Sequence, residues 1–282
     1  MLLARTILTI ILITGVAALL WMDHVLGIEA GFMITIFCAV VLSVREFYDL
    51  VCHKGYTPFA LWGTICAGLM VLADWLGYLS YRPEMHWMGI VAFVFLGGLF
   101  VLQGWLSPRE RGTVSMALTA FGIVYVWGLG HFIVRIRFYK PDVVGVWGVL
   151  LLVAVVKAND IAAYLVGRSF GRHRPFARVS PKKSWEGYLG GAVAAVVAAV
   201  VCGHLLFGMS WQLAVIFAIP VCFFGNLGDL AESVLKRDLE AKDSGVRFPG
   251  LGGVLDVIDS LLVAGPVAFY MLEQMVIMGY LA

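Results

Sequence analysis

The sequence has little charge for its length. Of its 282 residues, 61% are hydrophobic and only 13% are charged. Soluble domains typically carry about 25% charged residues, so a soluble fold would need a surface more apolar than globular proteins tolerate. This composition excludes a soluble enzyme, a disordered chain and a nucleic-acid-binding module. The net charge of +2 is likewise too small to favour a polyanionic partner.

Cysteine is also sparse, and its pattern excludes two kinds of site. The five cysteines are Cys38, Cys52, Cys66, Cys202 and Cys222. They are odd in number and widely spaced, with no C-x-x-C pair, and most lie in apolar stretches. Free cysteine in such surroundings behaves as a small buried hydrophobe. We therefore expect neither the disulfide framework of a secreted protein nor a zinc site.

Long apolar stretches are what the sequence has in abundance. A bilayer-spanning helix needs about 20 mostly apolar residues. Stretches of this kind occur at 6–22, 28–44, 58–76, 87–106, 114–134, 143–160, 188–208, 211–228 and 254–280. They predict an all-α, polytopic membrane protein of about nine transmembrane helices, with eight or ten as alternatives. The first is predicted to be an uncleaved helix, and 45–54 to be a short interfacial connector.

The basic residues predict the orientation of these helices. With nine spans and a cytoplasmic N-terminus, 16 of the 20 Lys and Arg residues face the cytoplasm. Arg135, Arg137 and Lys140 violate the rule in one loop, so either the helix count between 107 and 157 is wrong or that loop tolerates its charge. The predicted location is the inner cell membrane, with the C-terminal polar segments on its cytoplasmic side.

The few charges are concentrated in two segments. Residues 157–187 and 229–260 hold 20 of the 38 charged residues, whereas 188–228 contain no Lys, Arg, Asp or Glu. This distribution predicts an N-terminal helical scaffold at 1–156 and a catalytic membrane region at 157–282.

The first polar segment has the residues of a phosphate site. Asn159 and Asp160 close an apolar stretch, where a carboxylate needs a wet cavity or a cation. Pro181 interrupts the chain, so Lys182 and Lys183 stand in a loop that enters the next helix. A helix N-terminus with adjacent ammonium groups favours phosphate.

The second polar segment has the residues of a cation site. In a helix, Asp229, Glu232, Ser233 and Lys236 share one face, and Asp256, Asp259 and Ser260 share a face of the next helix. Carboxylates from two helices can converge on Mg²⁺, which prefers oxygen ligands and often binds substrate phosphates as well. The alternative is that each acid pairs with a neighbouring Lys or Arg, and we prefer this for Asp238 and Glu240.

Together the two segments resemble the phosphatidate cytidylyltransferases, also called CDP-diacylglycerol synthases. The matching residues are Asn159, Asp160, Ala163, Tyr164, Gly167, Ser180 through Gly187, Gly190, Gly191 and Gly228 through Ser260. The resemblance implies that CTP and phosphatidate react to CDP-diacylglycerol and pyrophosphate in a membrane of lipids. It also implies Mg²⁺, in a centre of one or two cations, and a homodimer.

We assign roles to the residues as hypotheses. The expected catalytic and phosphate-binding residues are Asp160, Lys182, Lys183, Glu186, Lys236, Arg237, Lys242 and Asp243. The expected substrate-binding residues are Asn159, Ser180, Ser233, Gly250, Gly252 and Gly253. The expected Mg²⁺ ligands are Asp229, Asp256 and Asp259.

Two positions depart from the family pattern. Leu251 stands where the family usually has His, and Val257 where it usually has Arg. A related lipid nucleotidyltransferase, a lipid kinase and a catalytically inactive scaffold therefore stay open. So does a cation-coupled transporter, although a transporter would be expected to show matching broken helices in both halves of the chain.

Overall fold

The computed structural model describes residue 23 and the ranges 29–79, 87–105, 112–176, 179–241, 244–245 and 252–281. Eight helices in these ranges are long and apolar enough to cross a membrane. In chain order they are α1 (Ala30–His53), α2 (Ala60–Leu79), α3 (Trp87–Trp105), α4 (Gly112–Phe138), α5 (Gly145–Phe170), α6 (Trp185–Phe207), α7 (Trp211–Asp238) and α8 (Val254–Ile277).

The helices confirm the predicted class and eight of the nine predicted spans. The remaining span, 6–22, lies outside the described residues, so the total of nine stays a prediction. Between 107 and 157 the two expected helices are present as α4 and α5, so the helix count there is confirmed. Arg135 is accommodated by the Phe269 ring, whose centroid lies 4.2 Å below the guanidinium carbon.

Three helices extend past the ends that the hydropathy pattern indicated. Helix α5 continues ten residues past its predicted end at 160, to Phe170. Residues 45–54 are not a connector, because α1 continues through His53 and buries Phe47 and Val51. Helix α7 continues ten residues past the predicted end of its span, to Asp238. Hydropathy reports the thickness of the apolar layer, and a helix can extend beyond that layer when its face remains packed.

The described chain divides into two compact units. The first comprises residues of 1–131 and 239–258, and the second comprises 132–238 and 259–282. The division at 156 into a helical scaffold and a catalytic membrane region stays a prediction.

In the first unit, Tyr48 on α1 organises the helix packing. Its hydroxyl donates a hydrogen bond to the carbonyl of Thr119 over 2.7 Å. A Cβ atom at Gly63 would lie 2.2 Å from this hydroxyl, so α2 can approach only because the position is glycine. The Thr119 hydroxyl accepts from the Phe59 amide (2.9 Å), which satisfies a backbone donor at the start of α2.

Asp74 is a charged residue within a helix of this unit, and it has two partners. The Asp74 carboxylate of α2 lies 2.8 Å from Nδ1 of His131 and accepts from the Trp127 indole over 3.2 Å. Trp127 belongs to a π-helical turn, Val124–Gly128, that interrupts α4. Ionisable groups inside a membrane are costly unless they are paired, which accounts for this contact.

In the second unit, a line of small residues lets α6 approach its neighbours. Gly187, Gly191, Ala195, Ala199 and Gly203 recur every four residues and are all buried. A Cβ atom at Gly191 would lie 2.4 Å from Oδ1 of Asn159 on α5. Small residues at this spacing permit close helix contact in membranes, so α6 fixes the position of the polar end of α5.

Candidate active site

The lysine-bearing loop is held by its own polar contacts at the N-terminus of α6. Ser184 is the N-cap residue, and its hydroxyl accepts from the Gly187 amide over 3.1 Å. The Trp185 amide donates to the His173 carbonyl (2.9 Å), and Arg174 donates to the Pro181 carbonyl. These contacts fix Lys182 and Lys183 directly before the positive end of a helix.

A polar cavity of about 230 Å³ opens beside this loop. Its lining residues are Asp160, Ala163, Tyr164, Ser180, Lys182, Lys183, Ser184, Gly187, Tyr188, Asn226 and Asp229. The structure thus brings together five predicted site residues: Asp160, Ser180, Lys182, Lys183 and Asp229. They come from α5, the loop before α6, and α7, so no single stretch of sequence forms the cavity.

An ion pair between Lys183 and Asp229 crosses the cavity. The Lys183 ammonium lies 2.8 Å from Oδ2 of Asp229, and their side chains are 17% and 40% exposed. The pair is therefore protected on the lysine side and open on the carboxylate side. An entering phosphate could compete for the ammonium, because its oxygens carry negative charge as the carboxylate does.

Further carboxylates surround Asp229. It interacts electrostatically with Asp160 and with Asp259. Asp160 pairs with Lys157 at 3.0 Å. Asp259 is buried and accepts from the amide (2.5 Å) and the hydroxyl (3.1 Å) of Ser260. Asp259 also shares a side-chain hydrogen bond with the buried Glu232. The second unit therefore concentrates four acids, and a bound cation would relieve the repulsion between their carboxylates.

The donor set of these residues suits a hard cation. Asp160, Asp229 and Asp259 offer carboxylate oxygens, the ligands that Mg²⁺ prefers. Among the residues that the structure describes, however, no three acidic, cysteine or histidine side chains already stand in metal-binding positions. Lys183 is paired with Asp229, and Lys157 is paired with Asp160. Binding of a cation by these carboxylates would therefore require at least one of the two ion pairs to open.

Asn159 and Asn226 join α5 to α7 behind the cavity. The Asn159 amide donates to Oδ1 of Asn226 over 2.8 Å, and Asn159 is itself buried. Asn159 therefore supports the cavity from behind, whereas Asn226 lines it.

Three predicted residues of α7 are not among the residues that line the cavity. Lys236 pairs with the buried Glu232 at 3.1 Å, one turn apart on the helix. Arg237 donates to the Val179 carbonyl over 3.2 Å, and Ser233 is not among the residues that line the cavity. Arg237 thus fixes the start of the lysine loop.

Glu186 does not reach the cavity either. Its carboxylate accepts from the Arg172 and His173 amides at 3.1 and 3.3 Å and lies 2.6 Å from Nδ1 of His173. These contacts fasten the segment after α5 to the start of α6.

In the first unit, Asp256 closes the start of α8. Its Oδ2 atom accepts from the Gly253 amide over 2.7 Å and from the Ser244 amide over 3.0 Å. Gly252 has a φ of +86°, and a Cβ atom there would lie 2.4 Å from the same oxygen. Asp256 therefore has hydrogen-bond partners even though no basic residue follows it on α8. Lys242, Asp243, Gly250 and Leu251 lie outside the described residues.

The prediction that Glu240 pairs with a basic residue is confirmed. Its partner is Lys54, which follows α1. The hydrogen bond from this ammonium lowers the pKa of the Glu240 carboxyl below its ordinary value.

A basic cavity of about 310 Å³ adjoins the polar one. It is lined by Tyr164, Gly167, Arg168, Arg174 and Lys182, and it shares Tyr164 and Lys182 with the polar cavity. From the sequence, Arg168 and Arg174 were expected only to be basic residues of a cytoplasmic loop. Their position beside Lys182 offers a second location for anionic oxygens.

An apolar groove of about 490 Å³ also adjoins the polar cavity. Its walls come from α6 and α7 and include Leu189, Val196 and Phe223. Tyr188 and Asn226 line both the groove and the polar cavity. The same unit thus offers a polar compartment for phosphate and an apolar compartment for hydrocarbon.

Sequence reasoning missed Tyr188 and Asn226 as lining residues. Asn226 could have been identified from the sequence, because it is a polar residue in an apolar span one helical turn before Asp229. Tyr188 could not, because its role depends on which helix packs beside it.

Comparisons with known proteins agree with this chemistry. The model of the cytidylyltransferase family matches residues 3–275. Phosphatidate cytidylyltransferase 5, chloroplastic, of Arabidopsis thaliana is 31% identical over 84% of this chain, which spans 65% of that relative. The phosphatidate cytidylyltransferase of Staphylococcus haemolyticus is 26% identical over 92% of this chain and 96% of its own length.

A further relative is the Escherichia coli protein YnbB, described as uncharacterized. It is 42% identical over 82% of this chain and 76% of its own length. The family match covers nearly the whole sequence, including every residue of the polar cavity. The chain belongs to the cytidylyltransferase family.

Proposed function

We propose that this protein is a phosphatidate cytidylyltransferase, which transfers CMP from CTP to phosphatidate. The observation that carries the proposal is the polar cavity with two lysines, joined through Tyr188 and Asn226 to an apolar groove. Phosphatidate has the matching form, with a phosphate on a pair of acyl chains. The names of the plant and staphylococcal relatives support the same substrate.

The reaction depends more on stabilisation of negative charge than on acid–base catalysis. An oxygen of the phosphatidate phosphate attacks the α-phosphorus of CTP, and the bond between that phosphorus and the bridging oxygen to the β-phosphorus breaks. Pyrophosphate leaves with the electron pair, and CDP-diacylglycerol is the product. The nucleophile is already anionic, so the barrier is repulsion between two anions and charge developing on pyrophosphate.

The residues of the polar cavity can lower that barrier. Lys182 and Lys183 would bind phosphate oxygens, and the Ser180 hydroxyl would donate to one of them. Arg168 and Arg174 would extend this positive surface along the triphosphate of CTP. Held in this way, the two substrates would react side by side in one site rather than after a bimolecular encounter.

Mg²⁺ is the cofactor that we propose for this reaction. Asp229 and Asp259 are the proposed ligands in the second unit, with Asp160 beside them and Asp256 one turn before Asp259 on α8. When bound, Mg²⁺ neutralises phosphate oxygens in reactions of this class. Lys183 would then be released from Asp229 to bind substrate.

We further propose the membrane setting of the enzyme. The positive-inside bias supports an orientation with the lysine loop on the cytoplasmic side of the inner cell membrane. CTP is available on that side. The resemblance to the family supports a homodimer.

The test is an assay of the purified protein with phosphatidate micelles, CTP and Mg²⁺. We expect CDP-diacylglycerol and pyrophosphate in equal amounts, no product after chelation with EDTA, and recovery when Mg²⁺ is restored. Absence of CDP-diacylglycerol with every acyl chain and divalent ion tested would refute the function. Full activity in EDTA would refute the cofactor alone.

A further inference from the structure

Glu46 is a charged residue in the part of the chain that the sequence assigned to a scaffold. It lies on α1, and only 1% of its surface is exposed. A carboxylate is costly to bury unless hydrogen bonds or positive charge compensate it. The contacts that keep Glu46 buried should therefore show what it does.

The carboxylate of Glu46 lies at the N-terminus of α8. Its Oε2 atom accepts from the amide of Leu255, the second residue of that helix, over 3.0 Å. The first amides of a helix have no partner within it, and the helix dipole favours a negative charge there. Glu46 thus supplies from α1 the cap that α8 would otherwise lack at this amide.

The same carboxylate is enclosed by two glycines of the loop before α8. A Cβ atom at Gly253 would lie 2.4 Å from Oε2 of Glu46, and one at Gly245 would lie 2.9 Å from Oε1. Side chains at these positions would collide with the carboxylate. The two described ends of this loop, at Gly245 and Gly253, therefore leave room for the Glu46 carboxylate.

Asp256 holds the other side of this loop. It accepts from the amides of Gly253 and Ser244, so Glu46 and Asp256 together bind three amides of the segment. Within the part of the chain that the structure describes, Oε1 of Glu46 and the Ser244 hydroxyl have no hydrogen-bond partner. A buried acceptor on Glu46 and a buried hydroxyl on Ser244 thus lie close to Asp256, which the sequence analysis names as an expected Mg²⁺ ligand.

We propose that Glu46 is a positioning residue for the transfer reaction, and this inference rests on the proposed function. By capping α8 and fitting between Gly245 and Gly253, its carboxylate fixes the described ends of the loop. The Ser244 and Gly253 amides at these ends orient Asp256. Glu46 touches neither substrate. It acts on the reaction only through the geometry of Asp256 and the loop.

The test combines local hydrogen exchange with kinetics for Glu46→Ala. We expect amide exchange in the peptide spanning 244–258 to rise about tenfold, as loss of a charged hydrogen bond implies. Exchange in peptides of α6 and α7 should stay unchanged. The value of kcat should fall about tenfold or more, as for other residues that orient a metal ligand, with KM for CTP within about twofold of normal.

Asp49→Ala is the matched control. Asp49 lies on the same helix but is exposed, with only a 3.5 Å ion pair to Arg45. Asp49→Ala should leave both amide exchange and kcat unchanged.

If Glu46→Ala does not fold, Glu46→Gln provides the test. The amide oxygen of glutamine can still accept from the Leu255 amide, but it carries no charge. We expect a smaller local rise in exchange and a smaller loss of kcat.

Three outcomes would overturn the proposal. These are unchanged exchange at 244–258, exchange that rises equally in every peptide, and normal kcat in a folded variant. The second would mean that Glu46 only stabilises the fold. If wild-type protein forms no CDP-diacylglycerol, the proposed function fails, yet the exchange result still decides whether Glu46 fixes the loop.

Discussion

At the scale of single residues, the contact nearest to the proposed chemistry is the ion pair between Lys183 and Asp229. We expect Lys183→Gln to lower kcat/KM for CTP at least about 100-fold, because an ammonium aimed at developing phosphate charge is removed. Steady-state rates with purified variants provide the measurement. Lys140→Gln changes an exposed lysine outside the cavity and should have no effect. Near-normal turnover of Lys183→Gln would remove Lys183 from the site.

The apolar groove allows an equally specific prediction for the lipid. Val196 lines the groove, whereas its neighbour Val197 is 56% exposed on the same helix. Val196→Trp should raise KM for phosphatidate roughly tenfold by filling the groove, with KM for CTP unchanged. Val197→Trp adds the same bulk outside the groove and should be neutral. Equal effects of the two variants would contradict binding of acyl chains in this groove.

Several of these residues could be found from sequence and others could not. Asp160 stood out as a carboxylate at the end of an apolar stretch, and Lys182 and Lys183 as two lysines directly before a predicted helix. Glu46 did not, since its partner Leu255 is 209 residues away. The partners of Asp256 and Asp259 could not be found from the sequence, because they are backbone amides and a serine hydroxyl, which carry no opposite charge.

At the scale of elements, the site depends on how closely α5 and α6 approach. We expect Gly191→Ala to destabilise the protein by about 1–3 kcal/mol, because its Cβ would collide with Asn159. The thermal midpoint in detergent should fall accordingly. Gly97→Ala, on α3, meets no atom within 4 Å and should not lower it. A midpoint unaffected by Gly191→Ala would show that the helices can separate without cost.

The positions of the helices were predictable, but their ends were not. Hydropathy located each of the eight described spans, because the apolar layer sets a minimum length. It ended α1, α5 and α7 too early, because each of these helices continues past its apolar stretch into charged sequence. A helix can extend beyond the apolar layer where one face remains packed, as the buried Glu46 and Glu232 show for α1 and α7.

At the scale of the whole molecule, orientation is the property that decides access to CTP. We expect Arg172→Cys to react with a membrane-impermeant maleimide only after cells are permeabilised, because its loop is predicted to be cytoplasmic. Lys140→Cys should react in intact cells. Both variants need a background without the five native cysteines, two of which are exposed. The reverse labelling pattern would place the polar cavity on the opposite side of the membrane.

The central claim is that CTP gives its α-phosphorus to a lipid phosphate. The most direct measurement follows CTP labelled at the α- or the γ-phosphate during reaction with phosphatidate and the purified protein. We predict that the α-label enters the lipid product and the γ-label leaves as pyrophosphate. A γ-label in the lipid would identify a kinase, and label in neither lipid nor pyrophosphate would contradict the cytidylyl transfer proposed for this site.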